Sequence, residues 1–243
     1  MCTLTWRSMG GNLELRFNRD ELHTRAVALP PQVHARAGRR WIAPTDPEGG
    51  GTWIGVNDAG LAVALLNGYL ASDREARPWT SRGLLVDALL ACGHVDELQA
   101  RLEITDLSTV RSFAVWAWSG NAARILRWDR ETLRSEDHST CLLPLSSSAR
   151  DPHGALRDRG LLYQTMQAQD AEDPMLLARF HASHAPAIGP TSPCMHRDDA
   201  QTQSHTLIRV LKERVTLEYT PAAPCRQVPA VVHALTRSSR GVD

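Results

Sequence analysis

The sequence predicts an α+β fold, antiparallel sheet with helices on its faces, and three observations carry the prediction. Four pairs of apolar or β-branched segments close on short turn signals, amphipathic stretches lie between the pairs, and strands and helices come in groups. Strict alternation would have indicated a doubly wound parallel sheet, so grouping favours antiparallel pairing.

Each element has its own local cause. "CTLTWR" and "LELRFNRDE" flank "SMGGN", a Gly-Gly turn that folds Cys2 back to lie roughly opposite Asn18 to Asp20. "GTWIGVNDAGLAVALLNGY" repeats the pattern, with strands near 52–57 and 60–67 around "NDAG". In "TSRGLLVDALLACGHVDELQARL", Leu84, Leu85, Ala88, Leu89 and Cys92 fall at helical spacing after a Thr/Ser start. "RSFAVWAWSGNAARILRWD" gives a third hairpin, carrying Trp116, Trp118 and Trp128, and "HTLIRVLKERVTLEYTP" a fourth around "KER". "DPHGALRDRGLLYQTMQAQ" and "DPMLLARFHASH" between them read as helices. No low-complexity linker interrupts the chain, so residues 1–243 form one domain, with about 235–243 an expected frayed tail.

Composition narrows the function classes. With 27 basic and 27 acidic residues the chain has no net charge, which disfavours nucleic acid as a partner. The five cysteines are odd in number, scattered and free of any CxxC, against a disulfide framework and for a reducing, cytoplasmic home. No apolar run approaches the roughly 18 residues of a membrane span, and no apolar segment precedes Arg7 as in an export signal.

Cys2 is the first candidate for chemistry. Removal of Met1 would leave a thiol and a free α-amine on one residue, and that amine can take the proton of its own nucleophile. "FNRDE" ends the strand predicted to pair with it: Asp20 could hold the amine, and Arg19 or Arg16 could supply a cation that lowers the thiol pKa. A regular strand puts residues 16, 18 and 20 on one face, which favours Arg16. Asp20 is expected to matter more to Cys2 reactivity than to folding. His181, His184, Cys194 and His196 gather in "HASHAPAIGPTSPCMHRDD", but the Pro-rich spacing matches no zinc ribbon or finger, so no metal is expected there. Arg197, in a loop before a predicted central strand, is a candidate for substrate recognition. "GGGTW" has neither dinucleotide nor P-loop form, so it indicates a close backbone approach or turn and no phosphate binding, and no cofactor is expected.

"MCTLTW…NRDE", followed by "EGGGTWIGVNDAGLAVALLNGY" and "SRGLLV", resembles the NRDE family, relatives of the transport-and-Golgi-organisation protein. The likeness spans the first third of the chain and implies the N-terminal-nucleophile hydrolase superfamily, a four-layer αββα sandwich. More distantly, "GLAVALLN" is similar to the choloylglycine hydrolase and penicillin V acylase segment that ends in an oxyanion-hole asparagine, here Asn67. In those acylases an arginine precedes the asparagine of the first motif, where this chain has Phe17, so the cation has to come from Arg16 or Arg19, and the tetrapeptide that names the family favours Arg19. Ser147 or Ser148 stands where relatives carry a further asparagine, and Gln203 where they often place an arginine. The resemblance implies a cysteine amidohydrolase cutting a non-peptide C–N bond of a small amide or acylated compound, with Asn18, Ser148 and Arg197 contacting substrate. The alternative it implies is a non-catalytic carrier of haem or of acyl-CoA and other lipid-like, hydrophobic ligands.

Overall fold

Thirteen strands and four α-helices build two antiparallel sheets, each with a helical layer outside it, among the residues described by the computed structural model (2–75, 77–120, 122–137 and 143–238). β1 (Cys2–Met9) and β2 (Asn12–Leu22) form the first hairpin, turned by Gly10 and Gly11 at φ +58° and +74°. Positive φ at both central positions matches the right-handed twist of the strands, and glycine adopts it without strain. β3 (Leu29–Arg36) and β4 (Arg39–Thr45) form a hairpin that the sequence did not predict. Pro30 and Pro31 argue against a central strand, and β3 is an edge strand, where a missing N–H costs no ladder bond.

β5 (Ile54–Asn57) and β6 (Ala62–Asn67) are the second predicted hairpin. The long helical stretch that follows is two helices, α1 (Arg82–Leu89) and α2 (Val95–Glu103). Asn57 breaks it: its Nδ2 donates to the carbonyls of Leu90 and Cys92 at 2.9 and 2.7 Å, taking acceptors that a continuous helix would use. β7 (Phe113–Ser119) and β8 (Ala122–Trp128) are the third predicted hairpin, extended by β9 (Leu133–Asp137). After β10 (Leu145–Ser147) come α3 (Pro152–Gln169), started by Asp151 accepting from the Gly154 N–H, and α4 (Leu176–Ala182). β11 (Ala200–Val210) and β12 (Arg214–Thr220) are the fourth hairpin, and β13 (Val231–Thr236) closes the sheet. That last strand, with Ser238 N–H donating to the Asp58 carbonyl at 2.8 Å, carries order into the expected frayed tail. Residues 239–243 of that tail lie outside the described residues.

The sheets run β10-β1-β2-β11-β12-β13 and β3-β4-β5-β6-β7-β8-β9. Their facing sides share one core: Leu4, Trp6, Leu15 and Phe17 of the first meet Ile54, Val56, Trp116 and Ile125 of the second. Trp6 and Trp116 touch across the interface, centroids 5.2 Å apart. Each buried large side chain contributes about 1.5–3 kcal/mol, so this layer is the main source of stability. Val86, Leu89, Val95, Leu98 and Leu102 pack α1 and α2 on the outside of the seven-stranded sheet, while α4 lies against β1 and β2. The result is the four-layer αββα arrangement. Among the described residues no helix is long and apolar enough to cross a membrane.

Candidate active site

Register decides which side chains meet at the start of β1. Cys2 pairs with Arg19 of β2 on one side and Ser147 of β10 on the other. Directly paired residues share a face, so Cys2 and Arg19 look into the space between the sheets, as Leu4 and Phe17 do. Asn18 and Asp20 look the other way, beneath the helices. The expected common face of residues 16, 18 and 20 is therefore present, but Cys2 is not on it.

A cleft of about 470 Å³ opens where β1 and β11 begin and β2 and β6 end. Cys2, Arg19, Asp20, Asn67, Arg82 and Arg197 line it. Arg19 is 5% exposed; its guanidinium lies 4.5 Å from the centroid of Trp53 and 3.3 Å from the Asp46 carboxylate, and its Nη1 is buried without a hydrogen-bond partner. Burial pushes the Cys2 thiol up to about 11; the chain's α-ammonium and Arg19 act against that rise, while Asp20 and Glu21 add to it. Such a thiol is only roughly one part in ten thousand thiolate at pH 7, so it needs a base at hand. Asn67 ends β6, half-buried. Its alternation places it with Val63 and Leu65, so the cleft reaches round the end of the strand.

Arg16, the cation favoured by alternation, is not beside Cys2. Its Nε donates to Glu14 at 2.8 Å, and its Nη1 lies 3.4 Å from His205 Nε2. Asn18, expected to touch substrate, is fully buried in a polar knot instead: its Nδ2 donates to the carbonyls of His181 and Pro193, both at 2.9 Å. Its Oδ1 then accepts from His205 Nδ1 at 2.8 Å, which fixes the tautomer and leaves Nε2 to accept from Arg16. Burial, then the Arg16 charge, pushes His205 down to about 3, and burial, then His205, holds His181 well below the usual range. Ser148 is also buried, its Oγ accepting from the Asp151 N–H at 3.2 Å. Arg197 does line the cleft, paired with Asp199 at 2.6 Å.

Two cationic residues that the sequence reading missed organise the site. Arg159 of α3 is fully buried beneath β1 and β2 and joins the nucleophile strand to the carboxylate. It donates to the Cys2 carbonyl at 3.4 Å, Thr3 Oγ1 at 2.6 Å, Asp20 Oδ2 at 3.3 Å and the Ser192 carbonyl at 2.9 Å. Both side chains of the Arg159–Asp20 pair have zero exposure. Thr202 also donates to the carboxylate, to Oδ1 at 2.6 Å, brought opposite Asp20 by a bulge at Gln203. Arg82 begins α1 and donates to the Ser112 carbonyl at 2.8 Å; burial pulls its pKa down, with Cys2 among the groups pulling it back. It stands in "SRGLLV", so a signal for it was present; none marked Arg159.

The "GGGTW" turn makes the close approach expected of it. A Cβ on Gly51 would overlap the backbone of Gly83 at the start of α1, and both glycines line the cleft. Of the suspected metal residues, His184, Cys194 and His196 do come together, joined by Cys225, with their ligand atoms all within 4.8 Å of one another. His181 is elsewhere, its Nε2 2.9 Å from Thr5 Oγ1. Cys141 lies outside the described residues.

A family model described as Transport and Golgi organisation 2 matches residues 1–127. No curated protein matches the chain significantly. Among solved structures, a mutant conjugated bile acid hydrolase from Clostridium perfringens superposes with TM-score 0.60 at 13% identity, covering 98% of this chain and 97% of that one. Penicillin V acylase from Agrobacterium tumefaciens gives 0.51 at 12% identity, covering 91% and 84%. The N-acylethanolamine-hydrolyzing acid amidase ortholog of Caenorhabditis elegans gives 0.58 at 11%, covering 86% and 92%. At these identities the likeness shows a shared N-terminal-nucleophile hydrolase fold.

Proposed function

The chain belongs to the Transport and Golgi organisation 2 family, and from that footing we propose that it is a cysteine amidohydrolase of the N-terminal-nucleophile type. Its substrate is a small amide or acylated compound cut at a non-peptide C–N bond. The observation that carries this reading is the placement of Cys2 at the first position of β1, on a cleft that also holds Arg19, Asp20 and Asn67.

With Met1 removed, the α-amine stands on the residue that bears the thiol. The amine takes the thiol proton, and sulfur attacks the substrate carbonyl. The Asn67 amide donates to the oxyanion. The protonated amine gives its proton to the leaving nitrogen, and water then opens the thioester and regenerates the thiol. Asp20 orients the amine, itself held by Arg159 and Thr202. The unpartnered Nη1 of Arg19 and Nε of Arg111, both on cleft-lining residues, support a ligand with acceptor oxygens.

The test starts with the mass of the purified protein, which must show Met1 removed. A panel of N-acyl amino acids, acyl-homoserine lactones and penicillin V is then assayed beside haem and acyl-CoA. Hydrolysis that Cys2→Ala abolishes supports the enzyme. Retained Met1, or tight haem or acyl-CoA binding that persists in Cys2→Ala with no hydrolysis of the panel, assigns the cleft to a carrier.

A further inference from the structure

Outside the cleft one cluster has the composition and spacing of a closed metal site. His184 follows α4, Cys194 and His196 flank Met195 in the loop before β11, and Cys225 lies in the short 3-10 turn after β12. His196 Nε2 stands 3.6 Å from Cys194 Sγ and 3.4 Å from Cys225 Sγ. A tetrahedral zinc ion, with bonds of about 2.3 Å to sulfur and about 2.0–2.1 Å to nitrogen, requires S···N edges of about 3.5 Å. The two edges that His196 makes to the sulfurs match it, and all four ligand atoms lie within 4.8 Å of one another. The rings of His184 and His196 meet edge to face with centroids 5.2 Å apart, and His184 Nε2 is buried with no hydrogen-bond partner. Among described residues that atom lacks the partner a buried imidazole nitrogen ordinarily finds.

We propose that His184, Cys194, His196 and Cys225 bind one structural zinc ion in a closed Cys2His2 shell. Two thiol protons leave on binding, so two thiolates and two neutral imidazoles give the divalent ion a shell with no net charge. Four protein ligands leave no open position, so the ion serves structure. Its place gives that structure a purpose. Met195, between two ligands, donates its N–H to Thr202 Oγ1 at 2.9 Å, and Thr202 in turn donates to Asp20. Ser192, two residues before Cys194, accepts from Arg159. The ion therefore ties down the loop that positions Asp20, acting as a positioning device behind the cleft. The sequence reading looked for a ribbon or finger within one segment; here the fourth ligand arrives from a second segment, 29 residues beyond His196.

The experiment measures metal in the full-length protein and does not depend on any activity. Elemental analysis of protein produced with zinc in the medium should give one zinc per chain. Cys194→Ser and Cys225→Ser should each lose it, while Cys92→Ala, in the core that α1 and α2 form with the seven-stranded sheet, should keep it. Replacement by cobalt should give the visible bands of a tetrahedral ion with thiolate-to-cobalt charge transfer in the near ultraviolet, and a chelator should lower the thermal midpoint of the wild type but not of Cys225→Ser. The cobalt spectrum of the wild type decides the matter even where a serine variant fails to fold. Metal-free protein whose zinc- and cobalt-treated forms show neither bound metal nor charge-transfer bands would overturn the proposal. So would a Cys194–Cys225 disulfide found in metal-free protein by non-reducing mass spectrometry.

Discussion

Replacing Arg159 with methionine removes the guanidinium paired with Asp20, in a pair whose side chains both have zero exposure. The same change strips donors from Thr3 Oγ1 and the carbonyls of Cys2 and Ser192. Orphaning one member of a buried pair costs about 3–5 kcal/mol. For a chain of this length each kcal/mol lowers the thermal midpoint by about 2–4 °C, so the loss should be about 6–20 °C. Asp20→Asn instead leaves the guanidinium with neutral acceptors alone, on Cys2, Thr3 and Ser192, and should also lower the midpoint. That revises the sequence-based expectation that Asp20 matters little to folding. The double variant buries neither charge, so it should lose less than the sum of the singles, with a coupling of about 1–3 kcal/mol. Urea unfolding at constant slope measures all four proteins. Additive losses, or an Arg159→Met cost below about 1 kcal/mol, would refute the assignment of this pair as the anchor of the site.

Three further outcomes follow from other parts of the structure. Because His205 is held neutral down to about 3 while the unfolded histidine takes a proton near 6.5, the unfolded state binds more protons between those values. Stability should therefore fall as pH drops through that window, by up to about 1.4 kcal/mol per pH unit from this residue, and urea titrations of His205→Asn should show a slope shallower by that amount. Asn67→Ala should cut kcat by about 10²–10³ with KM nearly unchanged once a substrate is in hand; a change confined to KM would mean the amide only binds. Gly51→Ala forces apart the backbones at Gly51 and Gly83 and should cost about 1–3 kcal/mol in urea unfolding, whereas an unchanged midpoint would show that the loop and the start of α1 move apart freely.

The hairpin that places Cys2 opposite Arg19 was legible because a Gly-Gly turn fixes register by counting outward from it. Periodicity also marked the grouped strands, though Pro30 and Pro31 hid an edge strand and Asn57 split a helix from 33 residues away. What stayed hidden depends on partners distant in sequence. α3 buries Ala155, Arg159 and Tyr163 while Leu156 and Leu161 are 51% and 63% exposed, so a pattern read for apolar faces turns the helix the wrong way. The Asp20 carboxylate, 139 residues earlier, together with acceptors on Cys2, Thr3 and Ser192, makes an inward arginine tolerable. Alternation was correct along β2, yet of the two candidate cations it pointed to Arg16, while facing is inherited from the directly paired residue, Arg19, the one the family tetrapeptide favours.

The seam between Gly51 and Gly83 sets where this cleft can change. The loop at Gly51 and the first turn of α1 meet there backbone to backbone, so Gly51 cannot hold a side chain and Gly83 holds one only where its neighbours give way. Nor can the strand ends that carry Cys2 and Asp20 drift, since each is bonded to Arg159. Latitude is left to the remaining walls, among them Tyr69, Trp79, Arg111 and Arg197. Selection for a new substrate would find its productive substitutions in those walls, and a library that spared the glycines and the strand ends would lose almost nothing of the range open to it.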